Sequence, residues 1–206
     1  YAALGVEVSV VELMDSLMPG TDKDLLRPFL KVVKPRYKAI MVSTKVTGMR
    51  ATDAGIEVSF EGKDAPENGV YDRVLVAIGR RANGDKLDAA KAGVAVDERG
   101  LIRVDKQMRT NVDHIFAIGD IVGQPMLAHK ASHEARVAVS VVAGQDRVFE
   151  PAAIPAVVFT DPEVARVGLN EQEAKERGTA YEVTTYGIDD LDRAIADEEA
   201  HGMVKV

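Results

Sequence analysis

The run VEVSVVEL, Val6 to Leu13, restricts the fold more than any other stretch of this chain. Rich in β-branched residues and short, it reads as a buried strand of the kind found in parallel sheets, which require helices on both faces. The preceding Tyr1 to Gly5 reads as the last turn of a helix, with Gly just past its end. An amphipathic stretch follows from Asp22 to Val33. Pro35 is expected to break it before the apolar Ala39 to Val42. Helix, strand, helix, strand in this order predicts an α/β architecture.

The remaining pattern is mixed. Lys45 to Arg50 and Ile56 to Phe60 predict a meander, with the charged EGKDAPENG as a turn leading to YDRVLVAIGR, whose Val74 to Ile78 is expected to be another buried strand ending at Gly79. A short helix around Lys86 to Lys91, strands at Ile102 to Val104 and Ile115 to Ile118, and a long Ala/Val-rich helix from about Ala128 to Ala143 come next. GQDRVFEP reads as a linker. Beyond it the pattern gives a strand at Ala156 to Thr160, a helix with Asn170 as N-cap, Glu173 three residues on and Gly178 as stop, and a strand at Tyr181 to Tyr186. The terminal HGMVKV resumes a strand pattern without an evident partner. With no helix start at the other end, the expectation is a piece of a longer chain.

Composition excludes several classes of function. A formal charge of −7 without a Lys/Arg cluster argues against nucleic acid. No apolar run approaches the roughly 20 residues of a membrane span, and no signal peptide is visible, so the expected location is the cytoplasm. Zero cysteines leave no disulfide, thiolate ligand or thiol nucleophile within these 206 residues.

Two strand ends carry candidate chemistry. Glu12 closes a buried strand, the place where a dinucleotide-binding βαβ unit keeps the carboxylate that takes the ribose hydroxyls; a solvated acid is the plainer alternative. The glycine fingerprint belongs about 20 residues earlier, which falls before residue 1. In TNVDHIFAIGD, Gly119 lets the backbone approach a ligand and Asp120 offers a carboxylate to it, although strand-Gly-Asp is also a common entry to a turn. His129 and His133, with Glu134 adjacent, have a spacing that can hold a metal, but no third ligand is identifiable. The acidic runs Asp189-Asp190 and Asp197 to Glu199 read as solvated faces.

VLVAIGRR (74–81), TNVDHIFAIGD (110–120), PMLAHKASHEARVA (125–138) and FTDPEVARVGLNEQEA (159–174) together resemble, in order and spacing, the flavin-dependent pyridine nucleotide-disulfide oxidoreductases. The resemblance covers essentially the whole chain. It implies residues 1–80 as part of a Rossmann-like NAD-binding domain, 81–150 as a central FAD-contacting segment and 151–206 as part of an α+β dimerisation domain, all truncated. It implies FAD and NAD as cofactors: Asp120 accepting from a ribityl hydroxyl, Met126, Leu127, Ala128 and His129 lining the flavin, Glu12 on the NAD ribose, Val46 at the adenine and Gly79 beside the nicotinamide. An acid at position 12 with no Arg nearby favours NAD over NADP. Within the family the wording is closest to bacterial members that reoxidise lipoyl groups, which implies a homodimer serving the lipoyl domains of a 2-oxo acid dehydrogenase complex. Mercuric and glutathione-type reductases are the near alternatives; a non-catalytic nucleotide-binding or dimerisation module is the distant one. No catalytic residue is expected here, because the cysteine pair would precede residue 1 and the His-Glu pair would follow Val206. The chain departs from the family pattern at Ala82, Ala135 and Arg166, none of them a ligand position.

Overall fold

A computed structural model describes all 206 residues, which divide into two compact units, Tyr1–Val76 with Val157–Val206, and Ala77–Ala156. In the first unit β1 (Ser9–Val11) runs parallel to β2 (Ala39–Met41), with Ser9 opposite Ala39, and α1 (Leu26–Arg36) connects them. Leu26, Phe29 and Val33, spaced along one face of α1, are buried and anchor it. Pro35 does not break this helix: it sits inside the last turn, and the helix closes one residue later at Arg36. So close to the end, the missing N–H and the ring of proline disturb little of the ladder that follows. The β1 strand is shorter than expected and only half-buried, since β2 is its single neighbour and Val6 and Leu13 stay exposed.

The meander is present as β3 (Lys45–Thr52), β4 (Gly55–Glu61) and β5 (Asn68–Tyr71), all antiparallel, with Val58 and Phe60 buried. A bulge at Thr47 shifts the β3 register, so that Val46 faces Phe60 and Gly48 faces Ser59. The Asn68–Tyr71 strand lies in what the sequence pattern assigns to turn and strand entry. It takes the place beside β4 that an apolar alternation further on was expected to fill.

That later segment, Val74 to Ile78, differs most from expectation. It belongs to no strand and is exposed, Ile78 at 95%. A β-rich sequence forms a strand only where another backbone offers a ladder, and none of these residues does so.

β6 (Ala156–Val158) pairs with β7 (Val164–Arg166), and α3 (Glu171–Glu176) carries the expected capping box: Asn170 accepts from the Glu173 N–H at 2.7 Å and Glu173 accepts from the Asn170 N–H at 3.2 Å. The terminal strand does have a partner, because β9 (Met203–Lys205) pairs antiparallel with β8 (Thr185–Gly187). The strand expected from Tyr181 begins only at Thr185. Lys205, with 7% of its side chain exposed, donates to Asp22 at 3.0 Å, to Asp24 at 2.9 Å and to Glu171. Burial pulls its pKa down, and the hydrogen bonds to Glu171, Asp24 and Asp22 outweigh that, holding it above the usual lysine range.

The second unit is built on α2 (Ala128–Val142), the helix the Ala/Val-rich run predicts. Val137, Ala138 and Val141 pack with Met108 as its core, and Val104, Phe116 and Phe149 close around them. GQDRVFEP is thus more than a linker: the Phe149 N–H donates to the Lys106 carbonyl at 2.7 Å and its ring meets His133 edge-on. Ile102 to Val104 and Ile115 to Ile118 form no strands; a single antiparallel bridge joins Arg109 and Phe116. Two short 3-10 turns, Gly84–Lys86 and Ala89–Ala92, replace the expected helix near Lys86. No helix of the chain is long and apolar enough to cross a membrane.

Candidate functional site

Asp120 lies in a 3-10 turn, Gly119–Val122, entered from the extended Ile118. The turn needs Gly119 for its φ of +82°, which is strained for other residues; an added Cβ would only touch the Ala131 Cβ at 3.4 Å. The Asp120 side chain is 48% exposed and meets the Arg80 guanidinium at 3.3 Å. An ion pair this exposed is worth about 0–1 kcal/mol, so the carboxylate can exchange Arg80 for a ligand hydroxyl at little cost.

A shallow cleft lined by Arg80, Arg81, Ala82 and Asn83 reaches Asp120. An adjoining cleft shares the first three of these residues and reaches Gly123 and Met126. Residues 120 and 126 thus line neighbouring openings of one unit, with Leu127 as N-cap of α2 and Ala128 and His129 in its first turn. Leu127 supplies no side-chain cap, which leaves first-turn N–H groups for an electron-rich partner. Pro125 lies just ahead of the helix. His129 is already engaged, its Nε2 2.7 Å from the Pro155 carbonyl.

The turn is gripped from beneath by two residues that the sequence does not single out as a pair. Lys130 and Glu134, one helical turn apart on α2, form an ion pair at 2.8 Å with 5% and 3% of their side chains exposed. Glu134 accepts the Gly119 N–H at 2.7 Å, and Lys130 donates to the Gly123 carbonyl at 3.1 Å and, at 3.4 Å, to that of Gly119. The i, i+4 spacing of opposite charges on an otherwise Ala/Val-rich helix was the available signal. Glu134 therefore turns to the lysine and the turn, His129 to Pro155 and His133 to Phe149, so the three do not converge as a ligand set. The other acidic group, Asp22, Asp24 and Glu171, encloses the Lys205 ammonium, which stands where a cation would.

In the first unit, Glu12 follows β1 and continues its ladder, donating its N–H to Met41 at 2.8 Å. Its carboxylate accepts the Met14 N–H at 2.8 Å. The Glu12 carbonyl accepts from Thr44 at 3.0 Å, and Thr44 is buried two residues ahead of Val46, itself 40% exposed on β3. Gly79 belongs to the second unit; its φ is +128° and the space a Cβ would enter is open.

Residues 1–135 match the family model for pyridine nucleotide-disulphide oxidoreductase, and 154–206 match that for the dimerisation domain of the same family. The chain belongs to the pyridine nucleotide-disulphide oxidoreductase family. Among curated members of this family, the dihydrolipoyl dehydrogenase of Vibrio cholerae is 55% identical over 207 residues, all of this chain and 43% of that protein. The one from Haemophilus influenzae is 54% identical over 206 residues, again 43% of its length. Of solved structures, the HOCl-induced flavoprotein disulfide reductase RclA of Escherichia coli superposes with a TM-score of 0.88 at 26% identity, covering 99% of this chain and 46% of that one. LpdA of Mycobacterium tuberculosis gives 0.87 at 26% identity, with 100% and 44% covered. The chain thus spans less than half the length of the family members it matches.

Proposed function

We propose that these residues are the nicotinamide-binding, flavin-contacting and dimerisation part of a dihydrolipoyl dehydrogenase, acting as a homodimer in the cytoplasm on the lipoyl domains of a 2-oxo acid dehydrogenase complex. The observation that carries the reading is Asp120, an available carboxylate on a clamped turn, beside the Met126 cleft and the start of α2. The 54–55% identity to dihydrolipoyl dehydrogenases supports this member of the family over the glutathione and mercuric reductases.

The residues fit the cofactors. Asp120 can accept from a ribityl hydroxyl of FAD, and the α2 N-terminus suits the electron-rich pyrimidine edge of a flavin. Glu12 can accept from the ribose hydroxyls of NAD, Val46 offers apolar surface to adenine, and open Gly79 lets backbone approach the nicotinamide side. Bound FAD supplies two-electron chemistry between a dithiol and the nicotinamide. In the net reaction dihydrolipoamide loses two electrons and two protons and closes its disulfide, while NAD+ gains a hydride and a proton is released. With no cysteine among them, these 206 residues orient the cofactors and leave the disulfide exchange to residues they do not include. The domain division 1–80, 81–150 and 151–206 goes with this reading.

Prepared at the length of its relatives, the protein should be yellow and oxidise dihydrolipoamide with NAD+. Turnover of oxidised glutathione or mercuric ion without turnover of dihydrolipoamide would reassign it. The 206 residues alone should remain colourless after dialysis against excess FAD and inactive with NADH and an artificial acceptor.

A further inference from the structure

We propose that Lys130 and Glu134 are positioning residues for Asp120, a second layer that sets the angle at which this carboxylate meets a flavin ribityl chain; the proposal rests on the assignment of Asp120 to the flavin. Three observations carry it. The pair is almost wholly buried, and taking two charges out of water costs more than their attraction alone returns, so an ion pair at this depth is poorly explained as a source of stability. Its further hydrogen bonds all go to one place. Glu134 accepts the Gly119 N–H and Lys130 donates to the Gly119 and Gly123 carbonyls, so the pair grips the backbone on both sides of Asp120. Finally, the turn has few other means of holding its shape beyond its own Gly123 N–H to Asp120 carbonyl bond at 3.3 Å and the Ile102 N–H to the Ile121 carbonyl at 2.9 Å. It is a single 3-10 turn with no side-chain cap, bounded by glycines at φ +82° and +113°, the residues with most conformational freedom to lose.

The mechanical consequence follows from the atoms. The Gly119 N–H lies in the peptide shared with Ile118 and its carbonyl in the peptide shared with Asp120, so holding both fixes the two planes on either side of Gly119, the second of which carries the Asp120 Cα. Arg80 approaches the carboxylate from the solvent side and is 71% exposed, so it can leave without moving the turn. A carboxylate aimed in advance loses less freedom when a ligand binds.

The test uses the full-length flavoprotein and the double variant Lys130→Met/Glu134→Leu. Apolar residues of similar volume can replace the buried ion pair itself with little loss of stability, while the Gly119 N–H is left without its acceptor, so this variant should fold with a modestly lowered melting midpoint while losing the grip. The expected result is FAD bound about tenfold or more weakly, the change associated with one charge-assisted hydrogen bond, and faster amide exchange at Gly119 in the apoprotein. In an Asp120→Ala background the same double change should have almost no further effect on FAD affinity. A purely structural role predicts instead equal effects in both backgrounds, or none, and either result overturns the proposal while leaving Asp120 in place. If Asp120→Ala alone binds FAD as tightly as the parent, the flavin assignment fails and the proposal with it. Should the double variant not fold, Glu134→Gln is put through the same cycle. It keeps an acceptor for Gly119 and removes the charge, and the same non-additivity with Asp120→Ala is required of it.

Discussion

Two buried lysines organise the two units of this chain, and they do so differently. Lys130 has its acidic partner one turn away on the same helix and gives its remaining hydrogen bonds to backbone carbonyls of a single turn. Lys205 gives everything to side chains, collecting Asp22, Asp24 and Glu171 from stretches about 30 to 180 residues distant in sequence. The first arrangement shapes a few atoms of backbone, and the second ties β9, α3 and the approach to α1 together. Similar burial thus serves local geometry in one unit and long-range closure in the other.

Removing one partner should separate the two roles. Lys130→Met alone leaves the Glu134 charge buried and unpaired, and should have the largest effect, a loss of about 3–5 kcal/mol in a denaturant titration. Lys205→Met should cost less, a fall of about 5 °C in melting midpoint, because Asp24 and Glu171 keep a third of their side chains in solvent and can rehydrate. A larger loss at Lys205 than at Lys130 would break the contrast.

Acidity sharpens it. Hydrogen bonds from Lys205 hold the Asp24 and Glu171 carboxyls below the usual range, Glu171 with added help from Tyr181. Their lowered folded values mean that this stability is complete above the ordinary carboxylate pKa of about 4 and is lost as pH falls through the lowered ones. Lys205, raised in the folded state, contributes stability that is complete below about pH 10 and is lost as pH climbs through its folded value. Lys205→Met should therefore flatten the acid limb of the stability profile below about pH 4. An unchanged acid limb would remove these carboxylates from the account.

Glu12 is the counter-example, a carboxylate with a backbone N–H for company and no ammonium. In the full-length enzyme, Glu12→Ala should reduce the preference for NAD over NADP by about tenfold, since a 2′-phosphate would no longer face a negative charge. An unaltered ratio of kcat/KM for the two cofactors would take Glu12 off the site. The smallest effect belongs to the α3 cap. Asn170→Ala should cost about 1 kcal/mol in thermal melting, through the lost Glu173 N–H contact and the bond from the Asn170 amide to the Gly20 carbonyl.

Features set by neighbours in sequence were legible before the structure. The Asn170–Glu173 box is written in a three-residue spacing, and α2 in an Ala/Val-rich run preceding Gly144. Features that depend on a distant backbone were not. Val74 to Ile78 has the composition of a strand yet pairs with nothing in the chain, whereas HGMVKV was expected to lack a partner and finds one in β8. The candidate site divides in the same way. Asp120 and the α2 start stand out in the sequence, but Glu134 reads there only as a neighbour of His133, and Lys130 is not singled out until the turn they hold is seen folded.

The bulge at Thr47 bears on how β3 tolerates a change of length. Strand residues alternate between faces, so one extra residue reverses which parity points where. Val46 shares the face of Phe60 and Met49 that of Val58; those partners lie two apart on β4, so an even and an odd position of β3 line the same side. Thr47 acts as a frameshift between two reading frames of one strand. Deleting it alone would restore plain alternation, with Val46, Gly48 and Met49 still opposite Phe60, Ser59 and Val58, whereas deleting it together with a neighbour would turn one end of the strand onto the opposite face. Among relatives of this chain, this strand is therefore expected to vary by the single bulge residue and not by two.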